Sequence, residues 1–267
     1  MLLCVAAILA AVLITPQVSQ AAIADFDAFN IRNSDGTIVA PWDASLSIVE
    51  NTAGDGFAAS TPLGGQKVGY GTNAFDTMQI NKIQSANFTK VSGKVGIVPY
   101  LNMWVTDGTN HAVISSENDY RGTDFSTRQE WKIFEYDSTT DLSWLFPAVP
   151  GDIVARDTAQ YLTLNGTRVT LADFSDTITL ADPGSLYPAY VGTGAPRGGY
   201  GFNVLFGDTQ TNYVGNYALG DLTVTVDGVT YEAANAANAV PEPAAFAIWG
   251  LFGGLGLIAA RRRKRTA

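Results

Sequence analysis

The chain has 267 residues, one cysteine, one histidine and a net charge of −9. Between Ala22 and Val240 the balance is steeper, 11 basic against 24 acidic residues, a net of −13. Such a body repels nucleic acid and anionic membrane surfaces. The cysteine, Cys4, lies in an N-terminal apolar run, so the body has no disulfide, no thiolate metal ligand and no thiol nucleophile.

Leu2 to Ile14 form an unbroken apolar run of 13 residues. That length suits the core of a secretory signal and falls short of a membrane-spanning helix. Thr15 and Pro16 end it, and Ser19-Gln20-Ala21 or Gln20-Ala21-Ala22 supplies small residues for a signal peptidase. Residues 1–21 therefore read as a signal peptide, although no Lys or Arg precedes the run. Either the start is misassigned or a weak leading segment is tolerated. The alternative is a buried N-terminal helix of the folded domain.

From Ala22 onward no helical periodicity is sustained, and short alternating runs separated by Gly, Asn, Asp and Pro predict an all-β domain over 22–232. Expected strands are Ala24–Asn30, Ser45–Glu50, Lys67–Tyr70, Thr77–Ile80, Asn87–Val91 and Ile97–Thr106. In the last of these, Leu101, Met103 and Val105 share one face, while Tyr100, Asn102, Trp104 and Thr106 share the other. Asp107-Gly108 ends it, and His111–Ile114 follows. Further strands are expected at Glu130–Tyr136, Thr177–Leu180 and Tyr200–Phe206. Two hairpins turn on Asn165-Gly166 and Asp227-Gly228, dipeptides that supply the positive φ of a tight turn. One short helix is expected near Leu142–Phe146 or Leu171–Ser175. About a dozen short strands predict a jelly-roll-like two-sheet sandwich.

The segment 233–239, rich in alanine and asparagine, reads as a linker. Val240-Pro241-Glu242-Pro243 follows, and its prolines hold the chain extended for a processing enzyme. Ala244 to Ala260 are 17 uncharged, mostly apolar residues, about 25 Å as a helix, slightly under the hydrocarbon core of a bilayer. Flanking arginines can snorkel to close the gap. Arg261, Arg262, Arg263, Lys264 and Arg265 then stop transfer and stay in the cytoplasm, which leaves the body on the far side of the membrane. A single transmembrane helix at 244–260 is thus expected.

Pro241-Glu242-Pro243, the glycine-bearing span and the terminal basic cluster, in that order over residues 240–267, resemble the PEP-CTERM sorting signal. The resemblance implies a Gram-negative bacterium and recognition by an exosortase, a membrane cysteine protease. It also implies removal of the span, transient residence in the inner membrane and delivery to the cell surface or an exopolysaccharide matrix. A plain permanent anchor is the alternative; a sortase signal would need Leu-Pro-x-Thr-Gly, which is absent, and a GPI signal would end apolar. In the body, the stretches 68–73, 100–108 and 201–210 resemble secreted bacterial β-sandwich proteins that carry this tail. They resemble, more broadly, carbohydrate-binding and galactose-binding-like jelly rolls, which implies the fold and no binding motif.

Chemistry in the body is sparse. His111 would have to serve any Ser/His/Asp triad, and no Gly-x-Ser-x-Gly elbow occurs. Glu130 and Glu135 sit five apart on one expected strand and so face opposite ways, and Glu117 could join Glu130 only through the fold. No catalytic residue is assigned. Sugars present apolar C–H faces to aromatic rings and hydroxyls to amides, and the face holding Tyr100, Asn102 and Trp104 offers both kinds of group. So do Tyr200, Phe202 and, across the alternation, Asn203. The bland reading makes Trp104 part of the core. Asp107, Asp119 and Asp124, with Asn110 and Asn118, offer oxygen ligands for a structural Ca²⁺, although their spacing matches no EF-hand or repeat motif and both residue types are ordinary turn formers. The sequence thus points to a surface-delivered protein whose partners are the export machinery and polysaccharide. Alternatives are a secreted glycan-active hydrolase or lyase, or a structural matrix or adhesion protein.

Overall fold

A computed structural model describes residues 21–32, 47–51, 54–93, 99–116, 127–134, 141–147, 151–155, 157, 161–183, 199–207 and 214–234. The signal segment, Asp119, Asp124 and the sorting tail from Pro241 to Arg265 lie outside them. No helix among the described residues is long and apolar enough to cross a membrane, and the expected span is not one of them.

The described chain is all-β. Its strands are β1 (Ala22–Asp25), β2 (Asp27–Arg32), β3 (Ser47–Glu50), β4 (Phe57–Thr61), β5 (Lys67–Thr72), β6 (Ile83–Gly93), β7 (Tyr100–Thr106) and β8 (His111–Ser115). There follow β9 (Lys132–Phe134), β10 (Ile153–Val154), β11 (Thr163–Leu164), β12 (Thr167–Arg168), β13 (Thr179–Leu180), β14 (Phe202–Phe206), β15 (Gly215–Val226) and β16 (Val229–Ala234). Both dipeptide hairpins form as expected: Asn165 and Gly166 adopt φ of 53° and 74°, Asp227 and Gly228 of 49° and 77°.

One six-stranded sheet runs β1-β16-β15-β4-β3, with β6 on the other side of the long β15. A seven-stranded sheet runs β2-β5-β14-β7-β8-β9, with β13 extending the pairing of β7. A small sheet, β10-β11-β12, stands apart. The two large sheets share one core. Phe57, Tyr217, Leu219 and Val224 from the first meet Val68, Tyr70, Leu101, Met103, Val204 and Phe202 from the second. The Phe206 and Tyr217 rings stack at 4.5 Å across the interface, and Phe57 lies 5.6 Å from Tyr70. The alternation read from the sequence holds here, because Leu101, Met103 and Val105 are fully buried in this core.

Three departures from the sequence reading have local causes. The expected first strand divides at Phe26: β1 pairs in parallel with β16 of one sheet, and β2 pairs with β5 of the other. Phe26 sits at the crossing, stacked 5.2 Å from Tyr70 and edge-on to Phe75 and Phe202, so its burial anchors the switch. Thr77–Ile80 is no strand. Thr77 takes a φ of 69°, unusual for a β-branched residue, and only Gln79 makes an isolated bridge, to Thr179. Finally, β16 runs to Ala234, so two residues expected in the linker are strand. Ala233 pairs with Ala24 and is buried, because it continues the inward alternation of Tyr231. Both sites considered for a short helix form single 3-10 turns, at Leu142–Leu145 and Leu171–Asp173.

Candidate functional site: a polar row across the second sheet

The registers of the seven-stranded sheet place six residues from six strands side by side. Asp27 of β2 lies opposite Gly71 of β5, Gly71 opposite Asn203 of β14, and Asn203 opposite Asn102 of β7. Asn102 then faces Ser115 of β8, and Ser115 faces Lys132 of β9. Cross-strand neighbours share a face, so these residues form one row on the side away from the common core. At about 4.8 Å between strands, the row is about 24 Å long.

Apart from Gly71 every residue of the row is polar, yet the row is largely covered. Asn203, Ser115 and Lys132 are buried, Asn102 is half-buried and Asp27 is exposed. Asn203 is held firmly. Its Oδ1 accepts from the Tyr200 N–H at 2.7 Å, and its Nδ2 donates to the carbonyls of Tyr200 and Asn102. Gly71 leaves the space that this arrangement needs, since a Cβ there would collide with the Asn203 side chain. The Tyr200 hydroxyl donates to Asp27 Oδ2 at 2.8 Å. Burial, this bond to Asp27 and the charges of Asp25 and Glu50 push the Tyr200 phenol upward, so it stays neutral and a donor. The Oδ1 of Asn102 is different: it is buried, with no hydrogen-bond partner among the described residues. At the far end Lys132 Nζ lies 5.8 Å from the Tyr161 ring, which Arg168 also covers at 4.3 Å. Arg168 in turn pairs with Asp157 at 3.5 Å.

Apolar groups line both flanks. On one, Phe29, Tyr100 and Leu205 form a small cluster with Ile31 and Tyr200. On the other, Trp104 pairs with Val113. The sequence placed Tyr100, Asn102 and Trp104 on a shared face, and they occupy one. Neither ring presents a face to solvent, however: Tyr100 is 1% and Trp104 4% exposed. Tyr100 also donates its hydroxyl to the Gly207 carbonyl at 3.1 Å and carries Lys67 over its ring. Stacking of a sugar on these two rings in this arrangement is therefore closed off, and Asn102 is the member of the three with an unused polar atom. Phe202 is core, opposite in sense to Tyr200, because Gly201 breaks the alternation at the entry to β14. Asp27, Ser115 and Lys132 were not singled out from the sequence. Alternation along each strand signals which face they take, but nothing local signals that the six strands lie in this order.

Asp107 has both carboxyl oxygens engaged within its own turn. Its Oδ1 accepts from the backbone N–H groups of Thr109 and Asn110, and its Oδ2 from the Asn110 side chain. Burial pushes its carboxyl up, but these hydrogen bonds together outweigh that and hold it below the ordinary carboxylate range. Its two oxygens thus close the β7–β8 hairpin as a turn residue. Among the described residues no group of three His, Cys, Asp or Glu side chains is disposed to hold a metal. Glu117 and Glu135 lie outside the described residues, as do Asp119 and Asp124, while half-buried His111 pairs with Thr106 at the hairpin end.

No family model matches the chain, and neither a curated protein nor a solved structure matches it.

Proposed function

We propose that this chain is an exported protein of the cell surface or exopolysaccharide matrix, with a jelly-roll-like β-sandwich body that binds glycan along the polar row of its second sheet. The PEP-CTERM-type tail is its address: Pro241-Glu242-Pro243 is recognised by an exosortase, the span at 244–260 holds the precursor briefly in the inner membrane, and Arg261–Arg265 keeps its end in the cytoplasm. The body acts without catalysis.

The observation that carries the binding reading is the Asn203–Asn102 pair at the centre of the row. One amide is fixed by three hydrogen bonds, and the other keeps a desolvated carbonyl oxygen with no hydrogen-bond partner among the described residues. A buried acceptor of that kind costs stability unless a donor meets it, and a sugar hydroxyl that displaced what covers the row would be a donor of the right chemistry. The neutral Tyr200 hydroxyl and Lys132 extend the same polar floor in either direction.

The test is affinity electrophoresis of the protein through gels containing extracellular polysaccharide. Wild type is expected to be retarded and Asn102→Leu to run freely. Equal mobility of the two proteins, with and without polysaccharide, would leave the body a structural matrix component. Release of reducing sugar would instead establish a hydrolase. For the address, Pro241→Ala with Pro243→Ala is expected to leave the protein in the inner membrane; unchanged delivery to the surface would refute that half.

A further inference from the structure

We propose that Asp76 and Asp182 form a proton-operated clasp, which holds the segment after β13 and the entry to β14 together in acid and loosens them as the pH rises to neutrality.

Three pieces of chain meet at this point. The turn before Thr77 brings Asp76 inward, with its N–H bonded to the Asn73 carbonyl at 3.0 Å. The segment after β13 supplies Asp182, whose backbone N–H donates to the Asp76 carboxylate. The entry to β14 supplies Gly201, whose N–H donates to Asn73 Oδ1 at 2.9 Å. Gly201 has to be bare, because a Cβ there would collide with Asp76 Oδ1. Both outer segments are bonded to the backbone of Trp104, Ala181 through its N–H at 3.0 Å and Gly201 through its carbonyl at 2.9 Å. Asp76 therefore spans the two strands of chain that flank the end of β7.

Its Oδ1 is buried and without a hydrogen-bond partner among the described residues, while the carboxyl of Asp182 lies close enough to act on it. An ionised Asp76 would thus hold charge on a desolvated oxygen facing a like charge. A proton removes both penalties. Burial first, and the Asp182 charge second, push the Asp76 carboxyl up to about 6, against the downward pull of the Asp182 N–H. Of the groups on the packed elements, Asp182 is the charge that bears on Asp76. Tyr200, next to Gly201, is held neutral and bonded to Asp27.

The entry to β14 also carries Tyr200, which bonds both Asn203 and Asp27. Loosening it would disturb one wall of the polar row, so glycan affinity would fall as the pH rises. That consequence rests on the proposed function; the clasp itself does not.

The experiment is hydrogen exchange read by mass spectrometry on the full-length protein in detergent micelles, at pH 5 and 7.5, with labelling times scaled for the chemical exchange rate. Relative to an ordinary carboxyl in the open state, a closed-state carboxyl near 6 gives about a tenfold loss of protection between these pH values, read at Ala181, Asp182 and Gly201. Asp76→Asn should show no such loss. Flat protection in wild type, or the same loss in Asp76→Asn, would overturn the clasp whatever the outcome with polysaccharide. Should Asp76→Asn fail to fold, Asp182→Asn is expected to shrink the loss by removing the repulsion, and an undiminished loss there would overturn it too.

Discussion

Replacing Asn102 by leucine separates stability from binding at one residue. The Asn102 side chain is half-buried, and its Oδ1 is fully desolvated with no hydrogen-bond partner among the described residues. Leaving an acceptor in that state costs about 1–3 kcal/mol, and an apolar group of similar volume does not carry the cost. The contact that Asn203 makes with this position goes to the Asn102 carbonyl, which the substitution keeps. The neighbours Ser115 and Asn203 stay polar, so part of the gain is lost to their poorer surroundings. The expected net effect is a stabilisation of about 1–2 kcal/mol. For a body of this size that raises Tm by about 2–8 °C. Differential scanning calorimetry of residues 22–239 reads it directly. The same variant should lose retardation by polysaccharide, since the unused acceptor is gone. Stabilisation without loss of binding would remove Asn102 from the site, and a lowered Tm would refute the desolvation argument itself.

The remaining expectations concern pH and backbone. Asp76 has a folded carboxyl near 6 against an ordinary value of 3.8, so its proton stabilises the fold. That contribution is fully present below 3.8 and is lost as the pH rises through 6. The whole shift would be worth about 3 kcal/mol, and partial exposure of the group reduces it to about 1–2 kcal/mol. Urea unfolding should show wild type losing this much relative to Asp76→Asn between pH 3.5 and 7.5, and parallel pH profiles would contradict it. Gly207 sits at φ 104°, and a Cβ there would strike the Gln66 carbonyl. Gly207→Ala is therefore expected to cost about 2–4 kcal/mol from strain and backbone displacement together. Gly228→Ala is the control: φ is 77° but its Cβ meets open space, so about 1–2 kcal/mol is expected. Equal costs for the two in denaturant titration would show that the close approach at Gly207 is not real.

What was legible in the sequence was local. The alternation of β7 assigned Leu101, Met103 and Val105 to the core, and Asn165-Gly166 and Asp227-Gly228 marked two hairpins that form. Both signals depend on residues within a few positions of one another. Other elements carried little signal. Strand β4, Phe57-Ala58-Ala59-Ser60-Thr61, is poor in β-branched residues and went unrecognised, and it forms because β3 and β15 pair with it on either side. The length of β15 was likewise hidden, since Gly215–Gly220 shows no strong alternation until β4 and β6 hold it.

The candidate site was legible only in part. Asn102 could be placed on a face with Tyr100 and Trp104, but whether that face was open depended on packing that no strand carries by itself. The sequence by itself determined an all-β body with an acidic balance, its turns and the inward face of its clearest strand. Only the tertiary structure decided that Asp27, Gly71, Asn203, Asn102, Ser115 and Lys132 lie in one row, and that Asp76 meets Asp182 more than a hundred positions away. The reason is that alternation fixes which way a side chain points along its own strand. Which strands become neighbours, and in which register, is settled by long-range pairing and burial summed over the whole core.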